Sequence, residues 1–204
     1  MTVLDCDPET GKQFEYSKLG GHFGGSGDAQ ATGVPGGGDM LHVCEFKTHN
    51  AKSFGVLQKK GVQEAKPEHY TQTQLYMSWQ GTTRGLYVGV NKNTDDIYIE
   101  RIKADTKVVE AAEAKAEAII FGSGKPSQIS TKATHFKCRF CDLKEYCHES
   151  KPPEKNCRTC VHSKPERDGT WRCSISQRAW EDSKPVIDVE RQKIGCDEWE
   201  GIQV

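Results

Sequence analysis

Leu41-His42-Val43-Cys44-Glu45-Phe46-Lys47 is an apolar run that closes on Glu-x-Lys, and it reads as a buried strand. Strand side chains alternate between faces, so Glu45 and Lys47 project together while Cys44 and Phe46 point the other way. The run follows a glycine-rich turn, Gly36-Gly37-Gly38-Asp39, and Asp28 stands 17 residues before Glu45. With Asp28 on a neighbouring strand, two carboxylates and an ammonium converge at one sheet edge. Paired carboxylates hold Mg²⁺ or Mn²⁺, and a lysine beside them orients a water or steadies a phosphate. That is a phosphodiester-cleaving constellation. The plainer alternative is an Asp28 that caps a turn and an edge-strand ion pair between Glu45 and Lys47.

Outward from this run, Phe14-Glu15-Tyr16 and His22-Phe23 read as short strand material among many glycines, and residues 33–38 as a turn. Residues 67–80 read as a helix, with Pro67 in the first turn and Tyr70, Leu75, Met77 and Trp79 as apolar surface. Gln72 and Tyr76 are four apart on it and share a face. Two strands, 86–90 and 97–102, flank the turn Asn91-Lys92-Asn93-Thr94-Asp95-Asp96. The alanine-rich segment 106–121 is the clearest helix, stopped by Gly122-Ser123-Gly124. Beyond Pro126 the chain turns cysteine-rich and loop-like, with a further boundary at Lys151-Pro152-Pro153. The expected organisation is an α+β core over residues 1–130, a cysteine trio segment over 131–150 and a small four-cysteine module over 151–204.

The 204 residues carry a formal net charge of −1, so the chain as a whole has no long-range attraction for nucleic acid. The charge is uneven: residues 123–172 hold 11 Lys/Arg against 6 Asp/Glu, and residues 173–204 reverse this to 4 against 7. The basic stretch is a candidate phosphate contact, although such stretches are more often solvated surface. No apolar run has membrane-spanning length, and the first residues lack the basic and apolar regions of a signal peptide. A cytosolic protein without membrane contact is expected. Seven of the nine cysteines fall between Cys138 and Cys196, which in a reducing compartment suggests metal ligation over disulfides.

Gly25-Ser26-Gly27-Asp28, then Glu45-Phe46-Lys47 after an apolar strand, then Gln72-Thr73-Gln74-Leu75-Tyr76 on a helix appear in that order. Together they resemble the RecB-like branch of the PD-(D/E)xK nucleases, over about residues 13–102. The resemblance implies a restriction-endonuclease-like core, a mixed central sheet flanked by helices. It also implies Mg²⁺- or Mn²⁺-dependent hydrolysis of DNA, with Asp28 and Glu45 as ligands and the Phe46 carbonyl completing the shell. Lys47 would position the water or stabilise phosphate charge, and Gln72 and Tyr76 would orient the site or contact DNA. The family carries an N-terminal helix with a further Glu or His. Only 27 residues precede Asp28 and none forms a convincing amphipathic helix, so a partner protein or second chain is one expected source of it. His22 in that stretch reads as structural.

Cys138, Cys141 and Cys147 follow the spacing C-x₂-C-x₅-C, which lets closely spaced thiolates share one metal. A zinc ion completed by His135 or His148 is one reading. The other comes from resemblance to the C-terminal trio of iron–sulfur nucleases in the same branch, of the AddB and CRISPR-associated RecB-like types. There a [4Fe–4S] cluster staples the tail to the core with an upstream fourth cysteine, for which Cys6 is the candidate; Cys44 reads as buried apolar filler. Cys157, Cys160, Cys173 and Cys196 make a four-thiolate set, the composition of a closed structural Zn²⁺ site, with Trp171, Trp180 and Trp199 around it.

The functional expectation is a metal-dependent DNA nuclease, exonuclease-like, acting on single- or double-stranded ends in recombination or repair. Its setting would be the cytosol of a bacterium or phage-infected host. The alternative is a nucleic-acid-binding or assembly module that keeps the fold without turnover.

Overall fold

The strand read from residues 41–46 is β5, His42–His49, and it runs through the middle of a five-stranded sheet. The computed structural model describes residues 1–123, 126–175 and 186–202. These form two compact units, Met1–Lys18 with Phe23–Ala116 and Leu19–His22 with Glu117–Val204.

In the first unit β1 is Thr2–Leu4, β4 Ala29–Thr32, β6 Arg84–Asn91 and β7 Ile97–Lys103, in the sheet order β1-β4-β5-β6-β7. Only β5 and β6 are parallel, so the sheet is mixed. A parallel pair needs a crossover, and two helices supply it, α1 (Ala51–Ala65) and α2 (Pro67–Gln80). The sequence reading finds α2 and misses α1. Asn50 caps α1 by accepting from the Ser53 N–H at 2.9 Å. Gly61, at φ 72°, interrupts α1 one turn before its end. The break frees the Val62 N–H, which donates to Glu100 Oε2 on β7 at 2.8 Å.

The helices cover one sheet face. Leu57 and Val62 of α1, Leu75, Tyr76 and Met77 of α2, and Val109 of α3 (Thr106–Phe121) pack with Val43 and Tyr87. A separate hairpin, β2 (Phe14–Lys18) with β3 (Phe23–Gly27), adds Phe14 and Tyr16 to this core. Gln74 is fully buried and ties β7 to α3: its Nε2 donates to the Lys103 carbonyl at 2.8 Å, and its Oε1 accepts from the Asp105 N–H at 2.7 Å. On the opposite sheet face Cys44 packs with Ala29, Ala31, Val34 and Leu86. Cys44 is therefore apolar filler, and burial pushes its thiol up to about 11.

The second unit is built of short pieces. α4 (Phe136–Arg139) buries Cys138, and α5 (Lys144–His148) carries Cys147. β8 (Ser163–Pro165), β9 (Trp171–Cys173) and β10 (Val186–Ile187) form a small antiparallel sheet in the order β10-β9-β8, followed by α6 (Val189–Gln192). His22 belongs here. One ring nitrogen meets the Glu166 carbonyl at 2.9 Å, and its ring lies edge-on to Phe121 and Trp171, a structural role. Trp180 lies outside the described residues. No helix among the described residues is long and apolar enough to cross a membrane.

Candidate functional site

Asp28 sits between β3 and β4, just past the last β4–β5 pair, Ala29 with Cys44. Where the β4 backbone stops, the Asp28 side chain takes over: its Oδ2 accepts the Phe46 N–H at 2.8 Å. This bond fixes Asp28 against the middle of β5, across the strands, and is not the cap of a turn. Glu45 and Lys47 share the helix-covered face, as alternation requires. Their side chains form a close ion pair, and the Lys47 ammonium also lies 3.9 Å from Asp28 Oδ2. The three charged groups are thus brought together where the β4–β5 pairing stops, on a central strand and not at a sheet edge.

Their environments differ sharply. Asp28 and Lys47 are about a quarter exposed, whereas the Glu45 side chain is 0% exposed. Glu45 Oε1 faces the Lys47 ammonium, and Oε2 has no partner. Burial pushes its carboxyl above the usual range, Lys47 pulls it back, and Asp28 adds a smaller upward push. A buried carboxylate with one oxygen left open, close to a second carboxylate, is a donor set suited to a hard divalent cation.

α2 supplies the roof. Gln72 Nε2 donates to the Tyr76 hydroxyl at 3.3 Å, the contact expected from their four-residue spacing. The Tyr76 phenol is pushed up, first by burial, with the Gln72 hydrogen bond pulling it back, Glu45 and Asp28 adding to the rise and Lys47 opposing it. Tyr16 lies against Tyr76 with ring centroids 4.8 Å apart. The glycine of Gly-x-x-Asp has a reason of its own: a Cβ on Gly25 would stand 2.2 Å from the Tyr76 hydroxyl oxygen. Only glycine lets β3 pass this close to α2.

A second polar cluster adjoins this one. Tyr87, paired with Glu45 across the parallel β5–β6 ladder, has its hydroxyl 2.9 Å from His49 Nε2 and 2.8 Å from His69 Nδ1. A phenol donates one proton, so one imidazole accepts from it and the other donates to it. Burial lowers both histidines, and Lys47 adds to the effect at His69. The sequence reading did not select this cluster. His69 lies three residues before Gln72 and seven before Tyr76, a helical spacing that was visible; the Tyr87 pairing was not.

Cys6 belongs to the first unit, where burial and the flanking Asp5 and Asp7 raise its thiol, and Cys138, Cys141 and Cys147 belong to the second. Within the trio, Cys141 N–H donates to the Cys138 carbonyl at 3.1 Å. All nine cysteines are free thiols. Among the described residues, no three His, Cys, Asp or Glu side chains stand gathered to hold a metal ion as they are.

No family model and no curated protein matches the chain. Among solved structures, the crystal structure of SSO0001 is similar at 20% identity and a TM-score of 0.39, over 64% of this chain and 56% of that one. The chain spans just over half the length of that structure, and a likeness at this level fixes neither fold nor activity.

Proposed function

We propose that the chain is a Mg²⁺- or Mn²⁺-dependent DNA nuclease of the PD-(D/E)xK type, in the RecB-like branch, exonuclease-like in action. The observation that carries the reading is Glu45, fully buried with Oε1 on the Lys47 ammonium and Oε2 without a partner, while the same ammonium lies 3.9 Å from Asp28. A buried charge in that state opposes folding, and such groups concentrate where a ligand or a reaction meets them. Asp28 and Glu45, with the Phe46 carbonyl, would hold the ion, which when bound neutralises phosphate charge and acidifies water.

The chain's own side chains do the rest. Lys47 positions the attacking water or neutralises charge growing on the phosphate oxygens. Tyr76, held by Gln72 and Tyr16, fixes the approach over Glu45 and Lys47. Under the same reading the trio Cys138, Cys141 and Cys147 holds a [4Fe–4S] cluster or Zn²⁺. The substrate is a single- or double-stranded DNA end in the cytosol of a bacterium or phage-infected cell.

The test is incubation of labelled single- and double-stranded DNA with Mn²⁺. The parent chain cleaves; Glu45→Ala and Lys47→Ala bind DNA and do not cleave. Unchanged cleavage in both variants overturns the site. DNA binding by a parent that never cleaves favours a nucleic-acid-binding module, and no DNA affinity even at low salt, where phosphate contacts are strongest, removes both readings.

A further inference from the structure

The four cysteines of residues 157–196 converge by backbone pairing. Cys157 and Cys160 bracket a single tight turn, capped by Asn156, in which the Cys160 N–H donates to the Cys157 carbonyl at 3.3 Å. The Ser163 N–H then donates to the Cys160 carbonyl at 3.2 Å, and Ser163 is the register partner of Cys173 across β8–β9. Cys196 arrives from the other side. Cys160 bridges to Gly201, Trp199 N–H returns to the Cys196 carbonyl at 3.2 Å, and the Cys157 thiol donates to the Ile194 carbonyl at 3.3 Å. Trp199 Nε1 closes the loop on the Asn156 carbonyl at 2.9 Å.

A further observation points to what this loop lacks. The Ser163 hydroxyl is buried with no hydrogen-bond partner, although the Ser163 backbone is tied to Cys160 and pairs with Cys173. A thiolate is the acceptor missing there.

We propose that Cys157, Cys160, Cys173 and Cys196 bind one Zn²⁺ as a closed four-thiolate structural site, with Ser163 donating a hydrogen bond to a bound sulfur. Four soft, anionic ligands and no open position suit zinc in a structural role. The thiols are not gathered as a ligand set in the ion-free chain. Because no three of them are gathered, at least two of the four side chains, Cys157 among them, must turn for the ion to bind. Binding displaces the thiol protons to solvent and changes no oxidation state. The inference is independent of the nuclease reading, because none of these groups belongs to the Asp28–Glu45–Lys47 site.

The test measures metal, not cleavage. The full chain, purified reduced, is analysed for zinc and iron, then stripped and titrated with Co²⁺. The expected result is zinc that Cys173→Ser and Cys196→Ser each lose and Cys138→Ser retains. The wild-type chain should also give a cobalt spectrum with intense thiolate charge transfer and tetrahedral d–d bands. Because a cysteine variant can fail simply by misfolding, Ser163→Ala is the second variant. It keeps all four ligands and should weaken zinc against a competing chelator by about 10-fold or more. Iron in place of zinc at these cysteines, zinc retained in both Cys173→Ser and Cys196→Ser, a non-tetrahedral cobalt spectrum, or disulfides among the four in the reduced chain each overturn the proposal.

Discussion

Of the twenty buried apolar side chains among the described residues, seventeen belong to the first unit and three to the second, two of which are the thiols Cys138 and Cys160. The first unit closes a sheet under α1, α2 and α3 around Val43, Leu57, Met77 and Tyr87. The second leaves Phe136, Phe140, Leu143 and Ile194 more than half exposed. Burial of apolar surface contributes roughly 25 cal/mol per Å². A unit with three buried apolar groups gains little from it, and such small modules rely on cross-links or metals. The difference teaches where each unit can tolerate a charge. The first has stability enough to bury the Glu45 carboxylate with one oxygen unpartnered; the second has stability only where its cysteines meet.

The sharpest way to break this contrast is Cys160→Ser. On the zinc reading it should abolish amide protection in the second unit and leave that of β5, β6 and α2 intact, since structural zinc contributes about 10 kcal/mol or more to such modules. Equal loss in both units, seen by hydrogen exchange, would show that they do not hold themselves together by separate means. Next in size is Lys47→Ala, expected to lower cleavage by about 10²–10³-fold, the scale of one lost electrostatic stabiliser, beyond what any loss of folded protein explains. A matching fall in stability would make Lys47 a structural partner of Glu45 only.

Gly25→Ala is smaller. Its Cβ meets Tyr76, which is 6% exposed and held by Tyr16, so the ring has little room to retreat. The expected cost is about 1–3 kcal/mol in chemical denaturation. Adding Tyr76→Phe, which deletes the clashing oxygen, should recover part of it; strict additivity of the two changes would mean that they do not touch.

The smallest effect has the opposite sign. Because burial raises the Glu45 carboxyl above its unfolded value, the protonated form is the one that folding favours. Its contribution is full below the unfolded pKa and is lost as pH rises through the folded one. The melting temperature of the ion-free chain should therefore decline just above the ordinary carboxylate range. Glu45→Gln should flatten that decline and stabilise the chain at neutral pH by roughly 1–2 kcal/mol. An unchanged pH profile in Glu45→Gln would mean that this carboxyl titrates normally.

Much of the first unit was legible because its signals are local. The apolar run of β5, the alternation that separates Glu45 from Cys44, Pro67 at the start of α2 and the spacing of Gln72 from Tyr76 need no tertiary information. α1 escaped because Gly55 and Gly61 weaken its helical signal, and its three buried residues, Phe54, Leu57 and Val62, straddle the break at Gly61. β4 escaped because Ala-Gln-Ala-Thr has weak strand preference; its alanines are buried by pairing with β5, which no local pattern announces. The inclusion of residues 19–22 in the second unit and the meeting of Tyr87 with His49 and His69 are products of packing alone. The cysteine spacing showed which residues were candidates, whereas the Ser163 hydroxyl between Cys160 and Cys173 emerged only from the β8–β9 register.

The open oxygen of the buried Glu45 has a consequence on another timescale. A carboxylate that opposes folding stays in a gene only while something selects for it. Glutamate becomes glutamine by a single base change, and here that change relieves the protein. A lineage that stopped using this site should drift to glutamine quickly, ahead of losses at Asp28, whose bond to the Phe46 N–H serves the fold itself. Position 45 in descendants of this chain is therefore a running record of whether the site is in use.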